Sequence, residues 1–192
     1  RRRSKFGAIK TNGYASRFES RVADELRAAL RENLPWLITV ELPQGGRFHV
    51  MHAELDEIQP VSDGDLSLNF EQMAIVPCAD GDTALWGRHI WGAFFSTNVN
   101  DASQLAKFHR TVEYHKLGKW MDHDKLSMIY VGHTPMKRPT QYKKMTNIDT
   151  GAYWSLKKND GEHGLTITEP ATGRFWTVRF NKVEEVEPLK LA

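Results

Sequence analysis

Met128-Ile129-Tyr130-Val131-Gly132-His133-Thr134-Pro135 is an apolar, partly β-branched run that ends in a glycine, a histidine and a proline. The pattern predicts a buried strand that delivers a histidine to a loop at its C-terminal end. Open α/β sheets bind their ligands at that end of their strands. Gly132 allows a sharp turn and a close backbone approach, and Pro135 stops the strand. His133 between them can present an imidazole nitrogen to a metal ion. A histidine packed at a strand end is the plainer alternative, and the residue alone does not choose between the two.

Outward from this stretch the chain alternates strands and helices. Downstream, Asn147-Ile148-Asp149-Thr150-Gly151-Ala152 reads as the next strand and its turn, within a strand expected over 145–150. Strands over 164–168 and 175–180 follow, joined as a hairpin by Pro170-Ala171-Thr172-Gly173. Upstream, residues 37–42 and 47–52 form a second predicted hairpin, whose Pro43-Gln44-Gly45-Gly46 link supplies the glycines of a tight turn. His49 and His52 lie three apart in it, so strand alternation sends them to opposite faces and argues against one shared metal. Helices are predicted over 16–33, with Ser16 and Glu19 as a capping box, over 101–120, and briefly around 70–75. Leu85 to Phe95 gathers Trp86, Trp91, Phe94 and Phe95 around Arg88, an aromatic setting that could hold a guanidinium over a phosphate. Asp122-His123-Asp124 reads as a polar loop rather than a ligand cluster, and Met136-Lys137-Arg138-Pro139 with Lys143-Lys144 reads as a basic loop.

The bulk properties narrow the class. At 192 residues, with 40% hydrophobic and 26% charged side chains, the chain suits one folded domain. Its formal net charge of +2 gives no reason to expect a nucleic-acid partner. The single cysteine, Cys78, excludes an intrachain disulfide and suits a cytoplasmic setting. No apolar run reaches the roughly 18 residues of a membrane span. The expected organisation is a basic arm over 1–15, a folded body over 16–181 and an acidic, mobile tail over 182–192.

Four segments in order resemble the phosphoprotein phosphatase family of metallophosphoesterases, in particular the bacteriophage lambda type. They are Phe48-His49-Val50-Met51-His52-Ala53-Glu54, Leu85-Trp86-Gly87-Arg88, Tyr130-Val131-Gly132-His133-Thr134-Pro135 and Asn147-Ile148-Asp149-Thr150-Gly151-Ala152. The likeness runs from about Arg21 to about Val178, the second half of such an enzyme. The family's Gly-Asp-x-His-Gly, Gly-Asp-x-x-Asp-Arg-Gly and Gly-Asn-His-Glu motifs do not occur in this sequence. Gly64-Asp65 and Gly81-Asp82 share only a dipeptide with them and read as polar turns.

The resemblance implies an α/β fold, a mixed β-sheet sandwiched by helices that forms the C-terminal half of a calcineurin-like metallophosphoesterase. It selects His52 and His133 as metal ligands and Arg88 as the phosphate clamp. Asp149 would support a ligand or form the turn rather than bind metal itself. A complete enzyme would hold two divalent ions, manganese or iron and zinc, whereas this chain would hold at most one weak site. The implied activity is metal-dependent phosphoester hydrolysis, foremost on phosphoserine and phosphothreonine proteins, with dinucleoside tetraphosphates as a variant. Carried by this segment alone it would be inactive, and its partners would be a phosphorylated protein or other phosphoester, together with the missing N-terminal half or a second copy of the chain. The alternative is a non-catalytic binding or structural protein that retains part of the phosphatase sheet.

Overall fold

Strand β1 (Leu37–Glu41) turns back into β2 (Arg47–Met51) as an antiparallel hairpin with Leu37 opposite Met51. The link closes as the sequence predicts: Leu42 N–H donates to the Gly46 carbonyl and Gly45 N–H to the Leu42 carbonyl, both at 2.9 Å. Gly45 and Gly46 both take φ +88, a region costly for any residue with a Cβ. The computed structural model describes residues 37–54, 62–64, 66, 88–95, 97, 100–114, 121–158, 161–180 and 182–191. All belong to the unit Trp36–Ala192. The arm over 1–15, the helix expected over 16–33 and the one around 70–75 lie outside the described residues.

After β2 come α1 (His89–Phe95) and α2 (Ala102–Tyr114), then β3 (Met128–Val131), which pairs parallel with β2. Asp101 caps α2, its Oδ1 accepting the Ser103 N–H at 2.9 Å. Strand β4 (Thr140–Tyr142) returns through Lys143-Lys144 into β5 (Met145–Asn147), which pairs parallel with β3. Helix α3 (Ala152–Lys158) leads to β6 (Leu165–Glu169), β7 (Arg174–Arg179), β8 (Lys182–Glu185) and β9 (Leu189–Lys190). The result is a mixed six-stranded sheet in the order β1-β2-β3-β5-β4-β9 and an antiparallel three-stranded sheet, β6-β7-β8. None of the described helices is long and apolar enough to cross a membrane.

Alternation along β3 sorts the two faces. Ile129 and Val131 join Met51 and Met145 in one core with Trp91 and Phe94 of α1 and Phe108 and Val112 of α2. Phe94 and Phe108 meet edge to face at 5.7 Å, and Phe108 does the same with Tyr142, a geometry favoured by the ring quadrupoles. Tyr130 points the other way, against Phe48 and Phe175 of β7. Helices on both faces were expected; at Tyr130 the second face meets the smaller sheet instead. That sheet can serve because β6 and β7 bury Thr166, Phe175 and Thr177 on one side.

Three further expectations need correcting. The basic loop contains strand β4, and three of its four cations are paired: Lys143 with Asp122, Lys137 with Glu162 at 3.3 Å, and Arg138 with the Glu187 carbonyl. The strand expected over 145–150 stops at Asn147. The segment 182–192, expected as a mobile acidic tail, supplies a strand to each sheet. Arg174 holds Glu185 in a two-pronged bond of 2.8 and 2.7 Å, while Leu191 is buried and donates its N–H to the Gln141 carbonyl.

Candidate functional site

Strands β2, β3 and β5 run parallel side by side, so their C-terminal ends form one edge. His52 follows β2, Gly132 and His133 follow β3, and Asp149 lies just beyond β5. Backbone pairing continues past the strands: Gly132 N–H donates to the His52 carbonyl at 3.0 Å and Ile148 N–H to the Val131 carbonyl at 2.9 Å. The ring nitrogens His52 Nε2 and His133 Nδ1 are 2.9 Å apart. Arg88, immediately before α1, places Nη2 3.1 Å from His133 Nε2. The structure thus brings together the three residues that the sequence singled out.

Donor chemistry fixes the protons along this chain. A guanidinium can only donate, so His133 Nε2 must accept and the ring's one proton must sit on Nδ1. His133 then donates to His52 Nε2. Burial lowers the pKa of His133 below the ordinary histidine value, helped by the Arg88 guanidinium and the neighbouring His52 ring and opposed by Asp149. His133 is therefore neutral at physiological pH, as a ligand must be.

The backbone at His133 differs from the expectation. Gly132 does not make the tight turn; His133 itself has φ 69, and Thr134 N–H reaches back to the Gly132 carbonyl at 2.8 Å. A bond spanning two residues around a positive φ is the rarer, strained form of the γ-turn. A Cβ on Gly132 would meet the Asp149 Cβ and the His52 carbonyl only at ordinary contact distance, 3.6 Å. Strain of this kind, about 1–3 kcal/mol, persists where neighbours enforce it. Here the enforcer is Asn147, fully buried, whose amide donates to the Thr134 carbonyl and whose Oδ1 accepts the Asp149 N–H, both at 2.9 Å. Asp149 in turn accepts the Gly151 N–H at 2.9 Å and gives its own carbonyl to Met136 N–H. It shapes the turn beside His133.

Arg88 is positioned by a residue whose role the sequence did not reveal. Glu54, two residues after His52 and fully buried, accepts the Ile90 N–H at 2.8 Å and the Trp91 N–H at 2.6 Å. Those amides belong to the first turn of α1, where no intrahelical acceptor exists. One carboxylate therefore ties the loop carrying His52 to the helix that begins beside Arg88.

His49 takes no part in this edge. It is fully buried, with Nδ1 2.9 Å from the Thr39 hydroxyl and Nε2 3.0 Å from Asp63 Oδ1. Asp63 also accepts the Ser127 N–H and hydroxyl, each at 2.7 Å. Asp122, His123 and Asp124 lie on an exposed loop. Among the described residues no group of three or more His, Cys, Asp or Glu is placed to hold a metal ion. No family model, curated protein or solved structure matches this chain.

Proposed function

We propose that this chain supplies part of a metal-dependent phosphoesterase centre, with His52 and His133 sharing one divalent ion and Arg88 binding phosphoryl oxygens. The observation that carries the reading is the 2.9 Å approach of two ring nitrogens at neighbouring parallel strand ends, with a guanidinium on the second ring. The pair fits a metal: two nitrogens bound at about 2.1 Å in adjacent coordination positions lie roughly 3.0–3.4 Å apart. When bound, divalent cations in such a centre lower the pKa of water and offset phosphoryl charge. Neutral imidazoles contribute no negative charge, so this pair alone should bind weakly and favour zinc over manganese. The carboxylates of a hydrolytic centre would come from beyond the pair, in the same or another polypeptide. The substrate class is a phosphoester.

A second reading is favoured by one feature: both ring nitrogens of His133 are engaged by Arg88 and His52, with no ligand between them. On that reading the edge is structural and the chain a binding protein. Zinc titration by calorimetry separates the two. The phosphoesterase reading expects a weak site that is lost in both His52→Ala and His133→Ala, and little hydrolysis of p-nitrophenyl phosphate until a polypeptide with Gly-Asp-x-His-Gly is added. Zinc binding that survives the double substitution would overturn it.

A further inference from the structure

Beside Arg88 lies a groove of about 360 Å³, within the size range of small-molecule sites. Arg88 lines it together with Phe95 of α1, Trp154 of α3, Pro135 and His163. Tyr153 packs edge-on against Trp154 at 5.4 Å, and the Lys157 ammonium sits 5.7 Å from the Trp154 ring centre. His163 fills the space left by Gly151, where a Cβ would fall 2.5 Å from the imidazole. Phe95 is 73% exposed, although a phenylalanine on a short helix would ordinarily be turned inward.

We propose that this groove receives a planar aromatic ring attached to the phosphoryl group that Arg88 binds, so that the preferred phosphoesters are aryl phosphates or nucleotides. The inference rests on the phosphoryl role of Arg88 and adds the identity of the neighbouring group. Two arguments select the occupant. Aromatic walls offer π-faces, on which another ring stacks with a gain of about 1–3 kcal/mol per base in nucleic-acid sites. Charge complements the same ligand: the Arg88 guanidinium, on the groove's lining, supplies the positive charge that a phosphoryl group seeks. A peptide would instead bring backbone amides that this largely carbon-lined groove cannot satisfy.

The test is titration of the chain, followed by amide NMR, with inorganic phosphate, methyl phosphate, phenyl phosphate and adenosine monophosphate. Phenyl phosphate or the nucleotide should bind about ten-fold more tightly than methyl phosphate, a gain within the stacking range. Which of the two gains more identifies the ring as aryl or nucleobase. Trp154→Ala should abolish the advantage while leaving methyl phosphate affinity unchanged; Phe95→Ala, at an exposed site that does not threaten folding, should reduce it. Arg88→Ala should weaken all four ligands together. Equal binding of methyl and aromatic phosphates, or an advantage that survives both groove substitutions, overturns the aromatic groove while leaving the phosphate site standing. If none of the four binds, the phosphoryl role of Arg88 falls and the groove's assignment falls with it.

Discussion

Replacing Glu54 should disturb the site from beneath. Its carboxylate is fully buried and accepts two backbone N–H groups at 2.8 and 2.6 Å. Hydrogen bonds to a charged group contribute about 1.5–3 kcal/mol each, and a buried donor left unpaired costs about 1–3 kcal/mol. Glu54→Ala strands both amides of α1 in the core, so a loss of about 3–5 kcal/mol is expected, a large part of a typical domain's 5–15 kcal/mol. Glu54→Gln is the informative variant. It preserves shape and one acceptor oxygen but turns an NH2 toward the second amide, which predicts a loss of about 2–3 kcal/mol. Urea unfolding measures the loss, and the amide resonances of Ile90 and Trp91 report which bond breaks. Fraying the first turn of α1 also releases Arg88 from His133. Because Arg88 helps to depress the pKa of His133, the imidazole should then titrate closer to its ordinary value, upward from wild type. Glu54→Gln with an unchanged urea midpoint and unshifted Ile90 and Trp91 amides would refute the coupling.

Gly151→Ala should destabilise the chain by about 2–3 kcal/mol, because φ +76 disfavours an L side chain and the new Cβ would fall 2.5 Å from His163; a change below about 0.5 kcal/mol in denaturant unfolding would show that His163 yields freely. At Asp63, burial works to raise the pKa, but bonds from Ser127 and His49 outweigh it and hold the carboxyl below the ordinary aspartate value. A depressed carboxylate adds stability above its unfolded pKa and loses it as pH falls through the folded value, so this contribution should decline progressively as pH falls below about 4. Asp63→Asn should flatten that part of the pH–stability curve, and an acid limb unchanged in the variant would assign it to other groups.

Much of the edge was legible because strand patterns are local. The run Met128–Val131 and the hairpin glycines Gly45 and Gly46 announce themselves within a few residues. His52 and Arg88, by contrast, were selected by resemblance, since their own sequence neighbourhoods allowed plainer readings. What stayed hidden depends on partners distant in the chain. Glu54 caps a helix that begins 35 residues later, and no periodicity marks such a carboxylate. Helix α1 itself could have been found: Ile90, Trp91 and Phe94 share one helical face, although the aromatic density around Arg88 carries no assignment of helix or strand by itself. Strands β8 and β9 hide for another reason. Sequences such as Lys182-Val183-Glu184-Glu185 are charged because they lie exposed at a sheet edge, where charge discourages further pairing.

The hydrogen-bond chain also bears on how the proposed centre would work, because His133 cannot serve Arg88 and a metal ion at once. In the structure its proton sits on Nδ1 and Nε2 accepts from Arg88. Ligation through Nδ1 requires that nitrogen to lose its proton, and in a neutral ring the proton then moves to Nε2. An Nε2–H facing a guanidinium is two donors without an acceptor, so Arg88 must swing away. The freed guanidinium is the group proposed to clamp phosphate. In the proposed centre, metal loading and readiness for substrate would therefore be coupled through one imidazole, and linkage would make the coupling reciprocal: an anion that draws Arg88 off His133 would favour ligation at Nδ1. The strained backbone at His133 suits this role, since Asn147 fixes the ring's anchor while leaving both nitrogens directed at alternative partners. A histidine relaxed into ordinary strand geometry could bind a metal, but it would not place its two nitrogens between the ligand pair and the phosphate clamp.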